Sequence, residues 1–231
     1  MSYSPYVGSP TDALRQQGVM TQVYAWMTAG LLVTGAIAMF VASSPALIAA
    51  IFGNMFVFFG LIIGQLAMVW FLSARVMSLS PGVATAIFLA YAALNGLTLA
   101  IIFLAYTATS IASTFFVTAG TFGAMSAIGY FTKRDLSGMG GFLLMALIGL
   151  IIASIVNIFW ANSTLYWIIT YAGVLIFVAL TAYDTQRIKR MVAEVRDEQS
   201  ERRVAIYGAL TLYLDFINLF LYLLRILGDR R

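Results

Sequence analysis

The chain has 231 residues, 62% of them hydrophobic and 10% charged, against about 25% charged in a soluble domain. That balance excludes a water-soluble fold, because too few polar residues remain to cover a surface. With no Cys and no His, it also excludes a disulfide scaffold, most zinc chemistry, His-based triads and thiol nucleophiles.

Residues 1–18 read as an N-terminal tail, and 19–231 as one membrane domain. No charge lies between Arg15 and Arg75, between Arg75 and Lys133, or between Asp135 and Asp184. Each gap is too long for one membrane crossing and right for two. Breaks fall at Ser43-Ser44-Pro45, at Thr107 to Ser110 and at Ala161 to Thr164. The chain order predicts spans at 19–42, 46–74, 82–106, 111–131, 139–160 and 165–184, then a seventh at 204–227 after a charged connection. Leu143 to Val156 is almost continuously apolar, which suits a helix that satisfies its own backbone in lipid and not an alternating barrel strand. The fold class expected is all-α, with seven transmembrane helices. The first segment is too long for a typical cleavable signal.

Lys and Arg set the expected orientation. Ten of the thirteen lie in the tail, the 2–3 loop, the 4–5 loop and the 6–7 connection, and the alternate loops have none. The N-terminus is therefore expected in the cytoplasm. Arg225, Arg230 and Arg231 close segment seven, which is long enough to span, although a re-entrant course would return them inside. The 6–7 connection, 185–203, reads as a short cytoplasmic helix with Arg190–Glu194 and Glu198–Arg202 at i,i+4. With most charges outside the apolar segments, no nucleic-acid partner is expected; the expected partners are the bilayer and another membrane protein of unknown kind.

A charge within the hydrocarbon costs about 3 kcal/mol or more, so such residues carry the information. Thr211, Asp215, Asn218, Tyr222 and Arg225 fall on one helical stripe. The stripe predicts that segment seven is interior, packed among the other six, with Asp215 lacking a cation at i±3 or i±4. Asp184 ends segment six, which one short connection joins to segment seven, so the two segments should be neighbours. Two carboxylates within hydrogen-bond reach would share a proton and titrate as a unit. Gly60 and Gly64 form a GxxxG suited to close helix packing, as does the small-residue run from Gly120 to Gly129. Gln65, Asn95 and Asn157 read as interhelical hydrogen-bonding amides.

Two strings are specific. Thr181-Ala-Tyr-Asp184-Thr-Gln-Arg-Ile-Lys189 and Leu212-Tyr-Leu-Asp215-Phe-Ile-Asn218-Leu-Phe220 resemble the last two segments of the transmembrane Bax inhibitor motif family. The likeness extends over essentially the whole chain, including Lys133 to Ser137, and is that of a bacterial member. It implies a last helix surrounded by the other six and a pH-sensitive calcium leak through the bundle of the inner membrane. It implies that Asp184 and Asp215 are the pH-sensing pair and hold Ca²⁺ weakly, and that Arg75 latches one of them in the closed state. It implies no enzyme activity and no cofactor, Ca²⁺ being the transported ion. Two other readings stand beside the leak: a non-transporting regulator of a membrane protease or stress response, and a proton-coupled cation exchanger. An intramembrane aspartyl protease fits poorly, because Asp215 is not preceded by Gly-x-Gly.

Overall fold

Polar capping residues open nearly every helix. The computed structural model describes residues 10–231, which form eight α-helices: α1 Pro10–Ala42, α2 Pro45–Phe52, α3 Met55–Arg75, α4 Pro81–Ala105, α5 Ala108–Phe131, α6 Gly140–Phe159, α7 Ser163–Glu194 and α8 Glu198–Leu227. Ser44, Asn54, Ser80, Thr107, Asn162 and Asp197 each turn a side-chain oxygen onto free N–H groups of the following turn. Pro45 and Pro81 occupy first-turn positions where no N–H is needed. All helices except α2 are long and apolar enough to cross a membrane, so the protein is an all-α, seven-span membrane protein. Residues 1–9 of the expected tail lie outside the described residues, and α1 is already helical at Pro10.

Two expected boundaries differ. The second span begins at Met55 and not near 46, because Gly53-Asn54 separates the short α2 from α3. The 185–203 connection is not a separate helix: α7 runs unbroken to Glu194 and α8 starts at Glu198. The reason is amphipathicity beyond the bilayer. Ile188 and Val192 from α7, and Val204 and Ala205 from α8, are fully or almost fully buried. Burying an aliphatic side chain of that size where water competes is worth about 1.5–3 kcal/mol. Of the two expected pairs, Glu198–Arg202 forms, whereas Arg190 turns to Asp135 in the α5–α6 loop.

α8 lies at the centre, packed against α1, α4, α5 and α7. Leu212, Tyr213 and Leu219 have no exposed surface. The ring is narrower than the expected six: α3 packs on α4, and α6 packs on α7. Lipid offers no hydrophobic drive for helix association, so close contacts and hydrogen bonds must hold the bundle. Gly129 of α5 meets the backbone of Ala182 in α7, where a methyl group would overlap the Ala182 carbonyl. Gly60 and Gly64 do not behave that way; both have open space where a side chain would start, because α3 is peripheral. Gln65 does bridge helices, donating to the Leu94 carbonyl at 2.7 Å and to Thr98 Oγ1 at 3.0 Å. Asn95 instead bonds within its own helix, and Asn157 caps the α6–α7 loop through the Asn162 amide.

Gly129→Leu should therefore lower stability by about 1–3 kcal/mol or more through overpacking against a backbone that cannot retreat. Gly123→Ala, on the same helix but facing open space, should be nearly neutral. Thermal unfolding of the two variants in detergent checks this; equal midpoints would show that the α5–α7 contact is not tight.

At the end opposite the basic loops, the chain folds back. The amides of Thr107 and Arg231 donate to the carbonyls of Asp229 and Ala105, at 3.1 Å each. Ser110 Oγ donates to the Asp229 carboxylate and accepts from the Asp229 amide. Arg230 donates to Tyr166 OH at 3.0 Å. α8 thus crosses fully, and residues 228–231 strap the α4–α5 turn to the start of α7.

Candidate functional site: a pair of aspartates at the α7–α8 contact

The α7–α8 register fixes the site. Ile188 packs on Gly208, and the ring of Tyr222 lies on Gly173 and stacks with Phe177 at 5.9 Å. In that antiparallel register Asp184 is level with Thr211, and Asp215 with Thr181. The two aspartates sit about 5 Å apart along the helix axes, one turn. No hydrogen bond joins them. The offset explains why direct contact is missing: the tight α7–α8 turn carries α8 one turn too far for the carboxyls to meet.

Asp215 is 4% exposed, and its Oδ2 is buried without a hydrogen-bond partner in the protein. Its neighbours on α8, Leu212, Phe216 and Leu219, are buried hydrocarbons. A buried carboxylate without partners in the protein is costly, and a proton, a water or a cation would each satisfy it. Asp184 is nearer the basic end and 7% exposed. Its nearest cation is Arg187, 3.9 Å away, one turn on and half exposed.

The expected latch residue lies elsewhere. Arg75 is exposed at the end of α3, and no carboxylate pairs with it among the described residues. Leu72 and Val76 take the inward positions, four residues apart, and are buried. Arg75 between them is turned outward. The structure thus does not bring Arg75 to Asp184; the cation beside Asp184 is Arg187.

The rest of the stripe is only partly buried. Thr211 Oγ1 and Asn218 Nδ2 donate to carbonyls one turn back on α8, at 3.0 and 2.8 Å. Arg225 lies between the rings of Tyr222 and Tyr166, at 5.0 and 5.7 Å from their centroids. These faces of the aromatic rings hold a guanidinium without a carboxylate.

A chain of hydroxyls beside Asp184 was not evident in the sequence. Tyr24 OH and Ser126 Oγ are 2.5 Å apart, and Ser126 Oγ is 3.0 Å from Thr185 Oγ1. This ties α1, α5 and α7 together next to Asp184. Ser126 reads in sequence only as a small packing residue; the available signal was its helical phase with Gly129 and Phe122, both buried. On the same side, Gln186 accepts from the Leu136 amide and donates to the Arg134 carbonyl, at 2.8 Å each. Asp135, capping Ser137 and facing Arg190, has its carboxyl held down to about 2 by the Ser137 amide and by Arg190. A depressed carboxyl favours the folded contact above its ordinary value of 3.8, and the effect is lost as pH falls through about 2. The Asp135 contact therefore contributes no pH response near neutrality.

The family described as "Inhibitor of apoptosis-promoting Bax1" matches residues 16–231. The chain is 57% identical over 217 residues to "Inner membrane protein YbhL" of Escherichia coli (strain K12), covering 93% of each. It is 46% identical over 221 residues to a protein of Borreliella burgdorferi, covering 95% of each. It is 42% identical over 182 residues to a membrane protein of Streptococcus pyogenes serotype M3, covering 79% of each. With a family match reaching from the first span through the strap, this chain belongs to the Bax inhibitor-like family.

Proposed function

We propose that the protein is a pH-sensitive calcium leak of the bacterial inner membrane, in which Asp184 and Asp215 bind the ion and the proton in competition. The observation that carries this reading is the unpartnered, buried Oδ2 of Asp215 on the central helix, one turn from Asp184. A structural carboxyl would be paired or hydrogen-bonded. This one is left for something that arrives. Ca²⁺ takes six to eight oxygens, and among the described residues no third acidic, His or Cys side chain joins the two. The helix carbonyls nearby already accept backbone bonds, and those of Phe177, Tyr207 and Leu214 accept side-chain donors too. Binding is therefore weak and partly hydrated, as passage requires.

The proton enters as competitor and as release. A proton on Asp215 satisfies the same oxygen that a cation would. A proton on Asp184 removes its attraction to Arg187 and frees the basic mouth of the pathway, so opening accompanies acidification. Purified protein in liposomes with a trapped calcium dye tests this across neutrality. Calcium entry should rise as the medium is acidified, above protein-free liposomes. Flux that is absent at every pH would favour the regulator reading.

The basic end, with residues 12–16, 132–139 and 187–203, is proposed to face the cytoplasm with the N-terminus. Single cysteines at Ser44 and Ser163 should react with an impermeant thiol reagent from the periplasm, and one at Ser137 should not. Labelling of Ser137 in intact cells would invert the orientation.

A further inference from the structure

α1 and α5 both pack on α8 but scarcely on each other. Between them runs a cleft that opens sideways to the bilayer. Its first part, about 630 Å³, lies between Met20, Tyr24, Gly123 and Ala127. A second, about 560 Å³, shares Met27, Thr28 and Phe122 with it. A third, about 390 Å³, continues past Gly35 and Phe216 to Phe116. From Gln17 to Met39 the α1 wall rises about 33 Å, roughly the depth of the hydrocarbon. Gly35 and Gly123 each leave open space where a side chain would begin, and these form its notches.

At the basic end the cleft meets a polar pocket of about 280 Å³, and Tyr130 lines both. Lys133, Arg134, Lys189 and Arg190 line the pocket, with Asp135 the one acid among its lining residues. Arg190 is taken by Asp135, Ser137 and Gln186. The other three cations have no carboxylate partner among the described residues. Lys189 Nζ spends one of its three donors on the Tyr130 carbonyl, at 2.7 Å, and leans on the Tyr130 ring, 4.4 Å from its centroid. Two donors remain, directed into a pocket whose other free groups are also positive.

An apolar slot along the membrane that ends in unpaired cations at the interface matches one kind of molecule. We propose that the α1–α5 cleft and this basic pocket together bind one anionic phospholipid of the leaflet at the basic end. Its phosphate is held by Lys133, Arg134 and Lys189, and an acyl chain lies along Gly123 in the half of the cleft nearer the basic end. Neither half suffices: a soluble phosphate would not use the cleft, and a neutral lipid would not use the cations. The site lies outside the Asp184–Asp215 contact, although Ser126, which lines the cleft, hydrogen-bonds Thr185 next to Asp184.

Native mass spectrometry of the purified protein in mild detergent tests it, with phosphatidylglycerol or phosphatidylcholine of identical chains added. Phosphatidylglycerol should be retained about tenfold better, a difference of about 1.4 kcal/mol. The double variant Lys133→Gln, Arg134→Gln should bring the ratio close to one. Gly123→Leu, which fills the slot, should weaken both lipids. All three positions are exposed, so folding should survive, and circular dichroism confirms it. Glycerol phosphate alone should not displace the bound lipid. Equal retention of the two lipids by the wild type would overturn the proposal, as would an undiminished preference in the double variant. Undiminished binding by Gly123→Leu, displacement by glycerol phosphate, or a dimer that excludes lipid from the cleft would each overturn it too.

Discussion

Asp215→Asn should abolish the pH dependence of calcium entry while leaving a folded protein. Asparagine keeps the shape of the side chain and a carbonyl oxygen, and adds an amide that can donate to a helix carbonyl. It removes the one group on the central helix that a proton or an ion would satisfy. The energy of an unpartnered buried charge goes with it, so thermal stability should stay level or rise. Flux should fall to the protein-free level at every pH if the carboxylate is the ion's stepping point. Dye-loaded liposomes and a melting curve on the same preparation separate the outcomes. A variant that responds to pH like the wild type would make Asp215 a packing residue. A variant that no longer melts cooperatively would make it a structural one.

Asp184→Asn should leave the pathway open at alkaline pH, where the wild type is shut. The magnitude follows from what holds Asp184. Coupling between a gate and its controlling group is typically worth about 1–3 kcal/mol, 5- to 150-fold, so alkaline leak should rise at least severalfold. Arg187→Ala removes the cation that pairs with Asp184. That pair is long, at 3.9 Å, and its arginine is 51% exposed. Its share is about 1 kcal/mol or less, so the leak should rise no more than about fivefold. The double variant should add little to Asp184→Asn, since both changes remove one interaction. Arg75→Ala should behave like the wild type, because Arg75 faces outward. An open channel in Arg75→Ala would restore the latch implied by family resemblance and require a closed state in which α3 turns. Additive effects of Asp184→Asn and Arg187→Ala would show that the two act separately.

The seven spans were legible because charges mark their ends and Ser, Thr, Asn or Asp caps most of their starts. Segment seven's interior position was legible from one feature, a polar stripe that cannot face lipid. What escaped was everything set by contact between helices. The stripe picks out one face, yet Leu212, Tyr213 and Phe216, off that stripe, are as buried as Asp215. A helix wrapped on most sides has no single face to read. Gly60 and Gly129 look alike as letters, but only Gly129 has a helix against it; neighbours are decided by topology, not by spacing. The 185–203 region read as a short helix of its own because charges set it apart from the spans on either side. Its buried Ile188 and Val192, four residues apart, continue the period of α7, a signal diluted by the six basic residues of that region. The cation beside Asp184 in this structure, Arg187, lies three residues away on the same helix, whereas resemblance pointed to Arg75 on α3.

The central helix also follows, in the chain, every helix that it packs against. α1, α4, α5 and α7 are all made before α8. At about 5–20 residues per second, the ribosome needs on the order of 10 s to travel from the end of α1 to the start of α8. Through that interval the early helices sit in lipid around a hollow. Thr34 has no Tyr213 hydroxyl 2.7 Å away to bond, and the α4–α5 turn has no strap to bind its exposed Thr107 amide. The bundle cannot be built by adding walls to a finished core; it is closed by a keystone that arrives last. Insertion of α8 is then the natural checkpoint of biogenesis. A chain stalled before it would leave the buried Thr34 hydroxyl without Tyr213 and the Thr107 amide without Asp229.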